Sequence, residues 1–261
     1  MEWEAAALGV VQGVFEWLPV SSKSVLMLLS SLLFSYTPHQ SYALAIALQG
    51  GTVASATIYF HRYLRGIYRH RCVLQFLVVA TLVTGAAGIP IYLLVNRYMI
   101  QQMDLGGSAL LVGILLLMQA LVRGVVSRYG SRSMESATLS DALVFGLIQA
   151  LSILPGVSRS GATVLALLYL GYSIEDSLKL SFLASIPANI GATLVALLIS
   201  GEEISVLTME SFAMALVTSS AVGAAAIGLL IRASSRHGTA TQLLMAFIAI
   251  LIGVTYIHFT R

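Results

Sequence analysis

The sequence predicts an all-α integral membrane protein with six transmembrane helices plus two re-entrant helical hairpins, arranged as an inverted-topology repeat. Three observations carry this. Of the 261 residues, 58% are hydrophobic and 10% charged, with a mean hydropathy of +0.91, whereas a soluble domain carries about 25% charged residues. Several apolar runs, such as 73–95 and 209–231, reach the ~18 residues that a span requires. Two further apolar regions, 5–35 and 141–171, are each interrupted by a proline and a serine cluster, leaving arms of about a dozen residues, too short to cross alone.

In chain order, the first hairpin (5–35) precedes spans at 42–60, 73–95 and 107–126, and the second (141–171) precedes spans at 178–200, 206–231 and 239–259. The chain is read as one membrane domain, 1–261, with a first repeat over 1–126 and a second over 141–261. Three spans per half make the halves insert in opposite senses. Met1-Glu2-Trp3-Glu4 is acidic where a signal peptide is basic, so no cleaved leader is expected. Arg62, Arg65, Arg69 and Arg71 follow the first span, Arg128 and Arg132 the third, and Arg232 and Arg236 the fifth. The positive-inside rule puts all three groups in the cytoplasm, with Glu202, Glu203 and both termini outside a multi-pass plasma-membrane protein. The first hairpin then enters from outside and the second from inside.

Composition also excludes other chemistries. The single Cys72 permits no internal disulfide or Cys-based metal site, and the five histidines show no ligand spacing. A net charge of +3 spread over short loops speaks to orientation in the membrane and not to nucleic acid.

The two breaks resemble each other. The first reads Gly9-x-x-Gln12, Leu18-Pro19, Ser22-Lys23-Ser24, and the second Gly146-x-x-Gln149, Leu154-Pro155, Ser158-Arg159-Ser160, with the Gln-to-Pro spacing differing by one residue. Taken alone, Pro followed by Ser is a structural device: Pro ends one arm and Ser caps the next. Capping does not account for Lys23 and Arg159, because an intramembrane cation costs several kcal/mol unless paired or facing a wet cavity. Two helix starts meeting at mid-depth, with serine hydroxyls and two cations, would bind a phosphate or diphosphate. The planar fork of Arg159 suits two phosphate oxygens, and Lys23 adds a point charge. Gln12 and Glu16 share one helical face. Glu16 either neutralises a cation, acts as a base beside a hydroxyl, or holds a divalent cation together with substrate phosphate.

At these residues the chain resembles the undecaprenyl-diphosphate phosphatases of the BacA type. The likeness rests on Gln12-x-x-x-Glu16 followed by Leu18-Pro19-Val20-Ser21-Ser22, and on Pro155-Gly156-Val157-Ser158-Arg159-Ser160-x-x-Thr163. Gly50-Gly51-Thr52 and the stretch from Ser181 to Pro187 extend it along the chain. The resemblance implies hydrolysis of polyprenyl diphosphate to the monophosphate carrier lipid, in carrier recycling for cell-wall synthesis, with a divalent cation, Mg or Ca. It implies Ser22 as nucleophile, Glu16 and Arg159 as its catalytic partners, and Glu16 with Gln12 at the metal. Ser21, Lys23, Gly156, Ser158, Ser160 and Thr163 would bind substrate. The expected partners are the polyprenyl diphosphate and membrane lipids, with room for a homodimer and none for nucleic acid.

One stretch departs from the family, which usually runs Thr-Gly-His after the serine pair where this chain has Lys23, Ser24 and Val25. Either Glu16 carries the proton in place of that histidine, or hydrolysis is lost and lipid-phosphate binding remains. A polyprenyl-phosphate transporter or flippase is the alternative function.

Overall fold

The computed structural model describes residues 2–100 and 130–232, and residues 107, 109, 110, 113, 114, 117 and 118 between them. The expected span at 239–259, the C-terminus and most of the span at 107–126 lie outside the described residues.

Both broken regions are helix–break–helix pairs. Helix α1 (Glu2–Phe15) ends before Pro19, and α2 (Ser22–Phe34) starts where the Ser21 side chain accepts the Ser24 N–H. At 1.5 Å per residue each arm is about 20 Å long, short of a hydrocarbon core of about 30 Å. The expected first span, 42–60, is a longer, stepped segment. It opens at α3 (Pro38–Ala47), with Pro38 in its first turn and a reciprocal Thr37–Gln40 cap, pauses at Leu48 and continues as α4 (Gln49–Tyr59). Helix α5 (Arg71–Leu94) carries Pro90 and runs on through a π-helical turn to Met99.

In the second half, α6 (Leu139–Leu151) opens on a Thr138–Asp141 capping box, and α7 (Arg159–Tyr169) on Ser158, which accepts the Gly161 N–H. Helices α8 (Ile174–Ile199), containing Pro187, and α9 (Met209–Arg232) follow. Among the described residues, α5, α8 and α9 are long and apolar enough to cross a membrane. Each span begins or ends within a few residues of where hydropathy places it.

Helix α1 lies along α9 and α6 along α5, while α8 packs against α3, α4, α5 and α7. Glycines set the closeness of the first two pairings. A Cβ at Gly9 would lie 2.5 Å from the Ala215 carbonyl oxygen, and one at Gly146 2.8 Å from that of Ala80. Small residues at this spacing let helix backbones touch, as helices in lipid do.

The distribution of polarity is that of a membrane protein. Gln12, Glu16, Lys23, Thr52, Arg159, Thr163 and Asn189 are all buried, while Leu82, Leu198 and Val217 on the long helices are at least 67% exposed. Charges and amides turn inward because nothing in lipid can solvate them. One end of the bundle joins the start of α1 to the 36–39 and 200–207 connections, through Tyr36 to Glu4 at 3.4 Å and His39 to Glu203 at 3.3 Å. The 61–70 connection meets Glu135 through Tyr63 and His70, at 3.0 and 2.9 Å.

Candidate active site

The two breaks meet. Ser24 Oγ of the first accepts the Gly156 N–H of the second at 2.7 Å, and Ser160 Oγ donates to the Leu18 carbonyl at 2.8 Å. Gly156 has φ +98°, a left-handed conformation that glycine adopts without a Cβ clash. Because of this stitching, the starts of α2 and α7 face one buried centre.

Glu16, just past the last residue of α1, is that centre. Its Oε2 accepts from Ser22 Oγ at 2.6 Å and from Gln12 Nε2 at 2.9 Å. Its Oε1 accepts from Arg159 at 2.7 Å and from Asn189 Nδ2 at 3.2 Å. Glu16 and Arg159 thus form an ion pair whose side chains are only 2% and 5% exposed. Burying two charges is tolerable when geometry is close and further hydrogen bonds satisfy them, and four donors on one carboxylate meet that condition. Arg159 also donates to the Ser181 carbonyl at 3.4 Å and lies 5.7 Å over the Trp17 ring, while its Nε has no hydrogen-bond partner.

The structure gathers most of the expected residues here with differing duties. Ser22, Glu16, Gln12 and Arg159 form one hydrogen-bonded unit. Ser21 caps α2, and Ser158 caps α7 while its hydroxyl donates to the Leu18 carbonyl at 3.3 Å. Thr163 turns toward α8, with its hydroxyl 2.7 Å from that of Ser181. Lys23 stands apart from the Glu16 unit, on a cavity of about 120 Å³ that Arg159 also borders. Val25, at the position where the family carries histidine, is buried in α2. None of the described histidines replaces it: His39 bonds Asn96 and Glu203, His61 the Ile58 carbonyl at the end of α4, and His70 Glu135.

Asn189 and Thr52 are the residues that sequence reasoning missed. Asn189 joins the two halves by donating to both Glu16 and Thr52 Oγ1, the latter at 3.2 Å. An amide two residues beyond Pro187 inside an apolar span was the available signal, since an uncharged polar group at that depth also needs a partner.

Comparison with known proteins identifies the family. The profile of the family described as Bacitracin resistance protein BacA matches residues 5–255. The chain is similar to the undecaprenyl-diphosphatase of Pyrobaculum islandicum, at 37% identity over 97% of each chain. It is also similar to those of Pyrobaculum aerophilum, at 35% over 98% of each, and Sulfurisphaera tokodaii, at 33% over 88% of each.

Proposed function

The chain belongs to the bacitracin resistance protein BacA family, and from that premise we propose that it hydrolyses a polyprenyl diphosphate to the monophosphate carrier lipid and inorganic phosphate. The observation that carries this reading is the 2.6 Å hydrogen bond from Ser22 Oγ to Glu16, beside Arg159. A hydroxyl donating to a buried carboxylate is an activated nucleophile, and the guanidinium next to it can bind the phosphoryl oxygens in a bidentate way. A transporter needs the cation but has no use for the carboxylate–hydroxyl pair.

In the reaction, Arg159 turns part of its donor set from Glu16 to the terminal phosphate. Glu16 accepts the Ser22 proton as Oγ attacks the terminal phosphorus. The bond from that phosphorus to the bridging oxygen breaks, and the prenyl monophosphate leaves and takes up the proton. Water then attacks the phosphoserine, Glu16 accepting its proton and returning it to Ser22 as phosphate departs. Positioning and charge stabilisation supply most of the acceleration. Glu16 fills the proton-transfer role, so a histidine at position 25 is not required.

The residues fit a divalent cation. Gln12 Oε1 is buried without a hydrogen-bond partner and, with Glu16 on the same helical face, offers the hard oxygen ligands that Mg²⁺ and Ca²⁺ take. Among the described residues no three His, Cys, Asp or Glu side chains cluster, so the ion would depend on substrate phosphate for its other ligands. Bound there, it would neutralise phosphate charge.

The site would sit within the bilayer between two re-entrant hairpins, α1–α2 and α6–α7. The inverted repeat is supported by equivalent pairings: the first arm of each hairpin lies on the second span of the other half, α1 on α9 and α6 on α5. An external N-terminus agrees with Glu4 lying at the Glu203 end of the bundle.

Purified protein given polyprenyl diphosphate and Mg²⁺ should release inorganic phosphate, and Ser22→Ala should cut the rate by about 10⁶-fold, the loss typical of a missing serine nucleophile. No release above the Ser22→Ala level would end the phosphatase reading.

A further inference from the structure

Building on the diphosphatase reading, we infer that Lys23 binds the lipid-proximal phosphate of the substrate, in a second half-site beside the one that takes the terminal phosphate. Lys23 is 2% exposed and makes no hydrogen bond or close ion pair among the described residues. Arg159, as deeply buried, is neutralised by Glu16. An unpaired ammonium in a membrane interior is costly, and a bound anion beside Lys23 would relieve that cost.

The space beside it is the cavity between α4, α5, α6 and α8. Lys23 borders it with Gln49, Gln149 and Ser152, and Arg159 reaches the same space from the Glu16 side. Gln149 Oε1 is buried and has no hydrogen-bond partner, as is true of Gln12 Oε1. The two glutamines are counterparts, since each lies nine residues before the serine that caps the second arm, Ser21 or Ser158. Four residues after Gln12 comes Glu16, but four after Gln149 comes Ile153. The second pair therefore supplies no carboxylate to this cavity, and among the described residues Lys23 has no hydrogen-bonded counter-ion there. Ile46, Ile89 and Val195 complete the lining, so one cavity offers a cation, polar amides and an apolar margin. A phosphate ester of a prenol has that same sequence of chemistries. A diphosphate spanning the cavity would present its terminal phosphate to Arg159, which holds the Glu16–Ser22 unit on its other side, and its esterified phosphate to Lys23.

The test measures equilibrium binding in a Ser22→Ala background, so that it needs no turnover. Three probes are used: a polyprenyl diphosphate, the matching monophosphate and inorganic phosphate, each with Lys23 and with Lys23→Met. The Met variant should weaken both lipid ligands about tenfold, the loss of one charge-assisted hydrogen bond, and leave inorganic phosphate unchanged. Lys23→Arg should restore most of the affinity, and Ser152→Glu, which puts a carboxylate into the same cavity, should mimic the loss. Weakening of inorganic phosphate alone would mean that Lys23 serves a free phosphate and would overturn the assignment, as would unchanged binding of all three. Absence of hydrolysis by the wild-type protein with these binding differences intact would count against the diphosphatase reading and leave the Lys23 site standing.

Discussion

Each oxygen of Glu16 accepts two hydrogen bonds, from Gln12 and Ser22 on one side and from Arg159 and Asn189 on the other. Removing one donor from a buried carboxylate exposes part of its desolvation cost, about 1–3 kcal/mol. Asn189→Ala is therefore expected to lower kcat about tenfold, the rate equivalent of ~1.4 kcal/mol, and to melt a few degrees below wild type with unchanged elution. An unchanged kcat would remove Asn189 from the site. Glu16 and Arg159 were legible as single residues because charges in apolar sequence demand explanation. Sequence left three roles open for Glu16; the structure shows the carboxylate paired with Arg159 and accepting the Ser22 hydroxyl, the geometry that the proposed base role requires. Asn189 was not legible, because an amide becomes informative only once its partners across the bundle are known.

Pro19 and Pro155 marked the breaks, and the arms on either side fall where the serine clusters place them. The register between the repeats was harder to read. The spacing from Gln to Pro differs by one residue between the halves, yet the spacing from Gln to the capping serine is the same in both. Capping geometry, decided by which serine adopts the extended conformation, restores the equivalence that residue counting loses. The step at Leu48 carries no proline and was invisible in a run of apolar residues; it turns Gln49 and Thr52 inward. Helix contact is tested by Gly9→Val, which forces a side chain against Ala215 and Thr218, a Cβ at Gly9 already lying 2.5 Å from the Ala215 oxygen. Overpacking of this kind costs about 1–3 kcal/mol, so the variant should unfold at lower temperature in detergent. Gly201→Ala, where a Cβ meets nothing within 4 Å, should melt like wild type. Equal melting of the two would mean that α1 does not lie against α9.

At the scale of the whole molecule, the halves contribute different groups to a shared centre: the first brings Gln12, Glu16 and Ser22, the second Arg159 and Asn189. In the proposed inverted repeat, opposite entry of the two hairpins would make that sharing a consequence of topology. In a Cys72→Ser background, a cysteine at Glu202 should react with an impermeant reagent applied outside, and one at Arg65 should not; the reverse pattern would invert the orientation. In the proposed reaction, one phosphate is handled by groups from both halves. A double-mutant cycle on kcat/KM with Ser22→Ala and Arg159→Lys measures it. Groups that act on one transition state are strongly non-additive, so the double variant should be about as slow as the slower single variant, whereas losses that multiply would show two independent functions and contradict a single composite site.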